Sequence, residues 1–224
     1  MTITNIIFET KMRLSRSSAT TSLDELTLLI IFNAALQRCW RWVLQWDPTW
    51  YYKSNSFAST ASLAKPSDFW KVLAIKATSA TFGSVRVSTV REFDEIEGNT
   101  YISGRASLPN ALVGSSNIEI TPATAGILYY IRKIGEITDL TYDITAIGVV
   151  SKPALIPWYF EEVLILEIMR LALVRELQKP DMNPTEVMQR TKVLNDTVAA
   201  LHKAFKPLNI TDTDVLTPPV AFNK

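Results

Sequence analysis

The sequence is poor in the residues that most often build catalytic and metal sites. It has one cysteine, Cys39, and one histidine, His202, among 224 residues. A lone cysteine has no disulfide partner, and one thiol with one imidazole cannot complete an ordinary zinc site. Because histidine performs most acid–base chemistry near neutral pH, these shortages predict a structural protein without a cofactor or metal rather than an enzyme. A Cys39–His202 nucleophilic pair is the minor alternative.

The chain also lacks an excess of either charge and a long apolar run. Its 23 lysines and arginines balance 22 aspartates and glutamates, which leaves a net charge of +1. Dedicated nucleic-acid binders are usually strongly basic, so any contact with DNA is expected to be weak or local. No apolar stretch approaches the roughly 20 residues of a membrane span, and residues 1–14 do not resemble a secretory leader. We expect a protein made in the cytosol with no membrane partner.

The residues that could still carry chemistry favour structural interpretations. Glu161, Glu162 and Glu167 fit no metal-ligand spacing, and a solvated or inter-subunit salt-bridging face is favoured over the paired carboxylates of a glycoside hydrolase. The run from Arg38 to Trp42 alternates cations with aromatics, as in proteins that stack on single-stranded bases. Its one-turn spacing on a helix favours core packing with arginine along the edge.

Glycine is confined to the middle of the chain. All seven glycines lie between Gly83 and Gly148, among short β-branched and aromatic runs such as 85–90, 118–120 and 127–131. Glycine between such runs marks turns and predicts a small antiparallel β domain. The predicted fold class is therefore α+β, mainly an α-helical bundle with this small antiparallel β domain inserted and an extended C-terminal tail.

Four segments follow from these patterns. They are an N-terminal helical segment over 1–70, a β-rich insert over 71–150, a C-terminal helical hairpin over 151–206 that packs with the N-terminal helix, and an extended tail over 207–224. In the first segment, a capping box of Ser22 and Glu25 predicts a helix over 23–46 that ends at Asp47-Pro48. A shorter helix over 4–14 precedes it.

Two proline signals predict the C-terminal hairpin. Pro157 opens a helix that is apolar on nearly every side, as expected of a helix surrounded by others. Asn183-Pro184-Thr185-Glu186 combines an N-cap, a proline in the first turn and a glutamate, and so opens the second helix. The seam by which this helix packs antiparallel on its predecessor is predicted to contain Val187, Thr191, Leu194, Val198, Leu201 and Phe205.

Several short motifs occur in a recognisable order over residues 20–206. They are Asn33-Ala34-Ala35-Leu36, Trp40-Arg41-Trp42, Tyr51-Tyr52, Pro66-Ser67-Asp68-Phe69, Tyr101-Ile102-Ser103-Gly104, Ile118-Glu119-Ile120-Thr121-Pro122, Tyr129-Tyr130 and Ile156-Pro157-Trp158-Tyr159-Phe160-Glu161-Glu162. In this order and spacing, the chain resembles the head-to-tail adaptors, also called connector or tail accessory proteins, of short-tailed bacteriophages. Relatives often have leucine before Pro-x-Asp-Phe, where this chain has Ala64-Lys65.

The resemblance implies a location and a set of partners. Such adaptors form a homo-oligomeric ring, usually of twelve copies, beneath the portal protein of the virion. The ring extends the DNA ejection channel, lets double-stranded DNA pass without sequence-specific binding, and gives the next tail or nozzle protein its platform. We therefore expect a protein that assembles in the host cytoplasm and resides at the head-to-tail interface. Another virion ring, such as a stopper or tail-tube completion protein, is the alternative, and a virion-associated cell-wall hydrolase is a more distant one.

Two groups of residues are candidates for these contacts. Spare aromatic residues could form the heterologous interface that a ring needs. This first group is Trp46, Trp50, Tyr51 and Tyr52. The tail has apolar residues with no expected place in an intramolecular core, and it could order on docking to the portal or to a neighbouring subunit. This second group is Val215, Leu216, Pro218, Pro219, Val220 and Phe222.

Overall fold

A computed structural model of the chain describes residues 2–16, 23–78, 84–88, 109–138 and 155–208. They form a mixture of helices and strands, which confirms the predicted combination of both element types. The chain divides into two compact units, one made of Met1–Asp47 with Glu136–Lys224 and the other of Pro48–Gly135. The described elements of the first, the helical unit, are helices, and the second, the β unit, contains the sheet.

The helical unit contains four α-helices. They are α1 (Ile3–Arg16), α2 (Glu25–Trp46), α3 (Glu161–Leu177) and α4 (Pro184–Phe205). Helix α3 is buried on nearly all sides, as its apolar sequence predicts. In the described residues, no helix is long and apolar enough to cross a membrane. The fully buried large side chains of this unit come from all its packed elements and include Ile6, Leu14, Phe32, Leu36, Trp42, Phe160, Leu164 and Leu201.

The helix starts show which capping signals the backbone uses. The side chain of Asn183 accepts a hydrogen bond from the backbone nitrogen of Glu186 at 2.9 Å, which confirms the predicted start of α4. Helix α2 is capped by Asp24, whose carboxylate accepts from the backbone nitrogen of Thr27 at 2.6 Å. The N-cap is therefore Asp24 and not the predicted Ser22, because the side chain of Asp24 satisfies one of the free donors of the first turn. Ser22 itself lies outside the described residues.

Helices α3 and α4 form the predicted antiparallel hairpin. Glu176, at the end of α3, forms ion pairs with Lys179 in the connecting turn and with Arg190 near the start of α4. The predicted seam is correct in its second half, where Leu194, Leu201 and Phe205 are buried. Thr197 takes the place expected for Val198, and Val187 is exposed because the first turns of α4 extend beyond the packed part of the hairpin.

The β unit is a five-stranded sheet around one long strand. The strands are β1 (Tyr52–Ala64), β2 (Phe69–Ala77), β3 (Arg86–Ser88), β4 (Asn110–Val113) and β5 (Asn117–Arg132). Strand β1 follows one side of β5, while β2 and β4 share the other side, and β3 pairs with β4. The β3–β4 pair is parallel. The prediction of a wholly antiparallel sheet is therefore wrong, and the sheet is mixed.

The strands also begin earlier than predicted. Strand β1 lies within residues 1–70, which were expected to be helical, and the β unit ends at Gly135 instead of residue 150. Strand β1 was missed because it is rich in serine and alanine and has no glycine at its turns, so the usual strand signals are absent. The predicted runs 118–120 and 127–131 are two parts of the single strand β5.

Strand β5 bends back so that both its ends approach one turn. The backbone nitrogen of Lys65 donates to the oxygen of Ser116 at 3.2 Å, and that of Lys133 donates to the oxygen of Asp68 at 2.8 Å. A straight strand of this length would span about 50 Å, whereas the turn from Lys65 to Asp68 is four residues long. The bent sheet encloses a core of buried residues: Ile75, Val85, Ala111, Ile118, Ile120, Leu128 and Tyr130.

Candidate interaction surfaces

The helical unit carries an exposed group of aromatic residues where α2 ends and α3 begins. The ring of Trp46 lies 4.9 Å from that of Tyr159 and 6.0 Å from that of Phe160, and Trp158 lies 5.4 Å from Tyr159. Phe160 is fully buried, whereas Trp46 is 37% and Trp158 67% exposed. We call these four residues the aromatic cluster. Phe160 anchors the aromatic cluster in the core, and Trp158 offers a large exposed apolar surface.

The chain around the aromatic cluster explains its geometry. Pro157 has an extended backbone and precedes a short 3-10 turn over Trp158–Phe160, after which α3 begins. This turn directs Phe160 into the core. Partial burial, together with the nearby charge of Asp47, raises the pKa of Tyr159. A tyrosine hydroxyl is already neutral near neutral pH, and this shift only extends its neutral range upward.

The other predicted subunit contacts lie in the β unit and differ in exposure. Tyr51 is fully buried, so the prediction that it contacts a neighbouring subunit is wrong. It ends a 3-10 turn, Pro48–Tyr51, and its side chain points inward. Trp50 is half-buried. Tyr52 is 48% exposed and stacks on Tyr129 with ring centres 5.5 Å apart, so it remains a candidate contact residue.

Sequence reasoning missed other exposed apolar residues. Trp158 was expected within the apolar helix that Pro157 opens, whereas it lies in the 3-10 turn before α3 and points outward. In the β unit, Trp70 and Leu73 of β2 are 49% and 45% exposed. The alternation that would have identified them is broken by two register shifts in this strand. The predicted tail contacts lie outside the described residues, and they are Val215, Leu216, Pro218, Pro219, Val220 and Phe222.

A buried ionic cluster lies inside the helical unit. Glu167 is fully buried, and one of its oxygens accepts from Arg38 at 2.9 Å and from Arg170 at 2.7 Å. Nearer the surface, Arg13 binds both oxygens of Glu162, at 2.6 and 2.9 Å. The expectation of a solvated or inter-subunit role is therefore wrong for Glu167. In the part of the chain that the structure describes, no group of three residues could hold a metal ion.

Cys39 lies in surroundings that oppose nucleophilic chemistry. Its thiol is fully buried, and burial together with the negative charge of Glu167 raises its pKa well above the ordinary value, against the smaller effect of Arg38. A thiol must ionise and be reached by its substrate to react, so Cys39 fits the packing role and not that of a nucleophile. His202 is half-buried on α4.

Two of the sequence motifs are bonded to each other in the β unit. One carboxylate oxygen of Asp68, in the Pro-x-Asp-Phe motif, accepts from the hydroxyl of Tyr130 at 2.8 Å, and the other accepts from Lys53 at 2.9 Å. Partial burial of Asp68 opposes its ionisation, but these two hydrogen bonds outweigh that effect and lower its pKa. The bonds hold the turn between β1 and β2 against the end of β5.

Another motif residue fixes the chain in the helical unit. The side-chain amide of Asn33, within α2, donates to the backbone oxygen of Ile137 at 3.0 Å and accepts from the nitrogen of Ile137 at 2.9 Å. This pair of bonds satisfies both backbone groups of Ile137. It attaches the start of the returning segment to α2.

The chain was compared with known proteins. No family model matches it, and no curated protein sequence matches it either. Its function is therefore inferred from its own residues and their geometry.

Proposed function

We propose that this protein is a structural virion protein, a head-to-tail adaptor of the short-tailed bacteriophage type. In this proposal the fold is a helical bundle into which the β unit is inserted. Copies assemble as a ring beneath the portal, and the resemblance described above implies twelve of them. The ring extends the DNA channel and presents the platform on which the next tail component attaches.

The observation that carries this proposal is the exposed aromatic cluster. It lies in the proline-led motif from Ile156 to Glu162, which is one of the motifs that resemble adaptors, and Trp158 is its most exposed member. Tryptophan and tyrosine dominate the binding energy of protein interfaces when they are anchored and become desolvated. A ring requires each subunit to present one face to a different face of the next. An apolar cluster on one face of the helical unit suits such a contact.

The positions of other motif residues support the same proposal. Asp68 and Tyr130 belong to two different motifs and share a hydrogen bond. Asn33 belongs to a third motif and binds both backbone groups of Ile137. These motif residues therefore form hydrogen bonds that hold distant parts of the chain together. Motifs that hold a fold together are expected to recur among proteins that share the fold, which favours a real resemblance to adaptors over a chance one.

The charge balance fits a channel wall. A net charge of +1 for the whole chain gives little counterion release on contact with DNA. A strongly cationic lining would retain the double helix and slow its passage. A ring of near-neutral subunits lets DNA move through without sequence-specific binding.

The proposal can be tested by sedimentation with the portal ring encoded in the same genome. We expect wild-type protein to co-sediment with the portal, and Trp158→Ala to bind the portal with at least about tenfold lower affinity, because loss of this hot spot between subunits weakens the ring that binds the portal. Met188→Ala is the matched control, since Met188 is 74% exposed on α4 and lies outside the aromatic cluster. Equal binding by wild-type protein and Trp158→Ala would contradict the assigned interface, and no binding by wild-type protein would contradict the function.

The tail has a separate test. Deletion of residues 207–224 is expected to abolish portal docking while the far-ultraviolet circular dichroism and the melting temperature stay those of the full chain. A truncated protein that docks as well as the full chain would show that the tail is not needed.

A further inference from the structure

Strand β1 presents an open edge. It is 13 residues long and pairs with β5 along one side, while its other side pairs with no strand among the residues that the structure describes. From Tyr52 to Ser56 every residue is exposed. The backbone groups along this side are therefore available to a further strand.

The hydrogen bonds of the sheet identify the outward-facing groups. The nitrogen of Lys133 donates to Asp68 and the oxygen of Ala125 accepts from Thr78, so odd-numbered residues near this end of β5 point towards β2. Even-numbered residues of β5 consequently point towards β1. Their register partners in β1 are Lys53, Asn55 and Phe57. Because alternate residues of a strand point to opposite sides, the backbone groups of Ser54 and Ser56 face the open edge.

This edge lacks the features by which proteins usually protect an exposed strand. Natural edges are short or carry prolines, bulges or several charges, which prevent unwanted pairing. Strand β1 has one charged residue, Lys53, and no proline. Its irregularities in register lie beyond Phe57, so Tyr52–Phe57 pairs regularly with β5. A regular, nearly uncharged edge of this kind is suited to accept a strand from a partner.

We propose that the Tyr52–Phe57 edge binds residues 209–217 of a second copy of this chain by strand addition. The proposal rests on the ring described above and names the site at which one subunit holds the next. In sequence, the segment 209–217 has β-branched residues at every second position, 211, 213, 215 and 217, and no proline until Pro218. Nine extended residues span about 30 Å, which exceeds the roughly 20 Å of the edge.

Symmetry favours this occupant. The segment 209–217 contains two aspartates, and the one lysine of β1, Lys53, already pairs with Asp68, so charge contributes little to the choice. A tail bound to the edge of the next copy is also a head-to-tail contact, which repeats and can close into a ring. Pairing of β1 with another β1 would give only a two-fold dimer.

The test is chemical cross-linking between two differently tagged full-length copies. One copy carries Ser56→Cys and the other Thr213→Cys, and a short bismaleimide joins thiols that lie close together. The native Cys39 is buried and does not interfere. The copies are mixed at high concentration, alone and with the portal ring. With the portal ring present we expect one cross-linked dimer that contains both tags, and without the portal we expect much less of it.

Two controls make the result specific. Met188→Cys replaces Ser56→Cys as an exposed cysteine in the helical unit, and the cross-linked dimer should be lost. Ser54→Pro, added to the Ser56→Cys copy, removes one outward N–H group and should lower the yield about fivefold at limiting concentration. Ser54→Thr keeps that group and should not lower it. Circular dichroism verifies that each variant is folded.

Three outcomes would overturn the proposal. They are the absence of a dimer with both tags when the portal ring is present, an equal yield with Met188→Cys, and a dominant dimer of two Ser56→Cys copies. The fate of the proposed function is measured separately. A portal-bound ring without the cross-link would refute only the strand addition, and a cross-linked dimer that never binds the portal would refute the adaptor function.

Discussion

The helical unit and the β unit hold their structures in different ways. The helical unit packs large apolar side chains from four helices and buries one carboxylate between two arginines. The β unit has a smaller core inside a bent sheet, and it relies on close backbone contacts and on the bonds of Asp68. This comparison indicates that side-chain packing and buried charge limit the stability of the first unit, whereas backbone geometry limits that of the second.

The units also differ in the surface that each offers a partner. The helical unit offers aromatic side chains, with Trp158 as the most exposed. The β unit offers a backbone edge along β1. Side-chain contacts tolerate small shifts between subunits, whereas strand addition fixes register. A ring that uses both contacts would be joined firmly at two kinds of site.

The largest expected effect concerns the buried charge of the helical unit. Glu167→Gln leaves Arg38 and Arg170, which are only 25% and 12% exposed, without their carboxylate. We expect the free energy of unfolding to fall by about 3 kcal/mol, measured by urea denaturation. Glu162→Gln is the control, and because its pair with Arg13 is exposed it should cost less than about 1 kcal/mol. Equal losses in both variants would contradict the role given to burial.

The next effect concerns the backbone geometry of the β unit. A Cβ atom at Gly126 would collide with the backbone oxygen of Lys76 and would lie 2.9 Å from the ring of Phe57. Gly126→Ala should therefore destabilise the protein by about 2 kcal/mol. At Gly135 a Cβ would meet nothing within 4 Å, so Gly135→Ala should change stability by less than about 0.5 kcal/mol. Similar thermal denaturation of the two variants would contradict the close approach at Gly126.

A smaller effect on the free energy of unfolding is expected at the turn between β1 and β2. Tyr130→Phe removes the hydroxyl that donates to Asp68 but keeps the buried aromatic ring. The loss of a hydrogen bond to a charged acceptor should cost about 1.5 kcal/mol. Tyr129→Phe, on the neighbouring half-exposed residue, is the control. A Tyr130→Phe protein as stable as the wild type in urea would show that this bond does not hold the turn.

The carboxylate of Asp68, in the same turn, should make the free energy of unfolding depend on pH. The pKa of Asp68 lies below its ordinary value of 3.8 in the folded protein, so the ionised carboxylate stabilises the fold. This contribution is present above pH 3.8 and disappears as the pH falls through the lower pKa of the folded state. Wild-type protein should be more stable than Asp68→Asn at pH 7, and their free energies of unfolding should converge in acid. A gap that is constant with pH would contradict this assignment.

The smallest effect on stability is expected in the aromatic cluster. Trp158 is 67% exposed, so Trp158→Ala should change the free energy of unfolding by less than about 1 kcal/mol. Its loss of portal binding would then be a loss of contact surface. A large decrease in melting temperature would assign Trp158 to the fold.

The helices were predictable because their signals are local. The Asn183-Pro184 start of α4 and the Asp47-Pro48 end of α2 depend on neighbouring residues, and the structure has both boundaries where they were predicted. Trp46 was identified as a contact candidate because it is one of the spare aromatic residues. The burial of Glu167 was not predicted, because Arg38, which pairs with it, lies 129 residues away.

The sheet was less predictable because its causes are distant in sequence. Strand β1 has few β-branched apolar residues, and it is held in place by pairing with β5, more than 50 residues later. The inward direction of Tyr51 depends on the short turn before β1. The parallel pairing of β3 with β4 depends on how the chain between them connects, and the apolar pattern of either strand does not specify it.

The most direct test of the adaptor function is native mass spectrometry of the full-length protein, alone and mixed with the portal ring. The proposal predicts a monomer when the protein is alone and a portal-bound ring of defined copy number in the mixture. A protein that stays monomeric in the presence of the portal would contradict the adaptor function and favour another virion component.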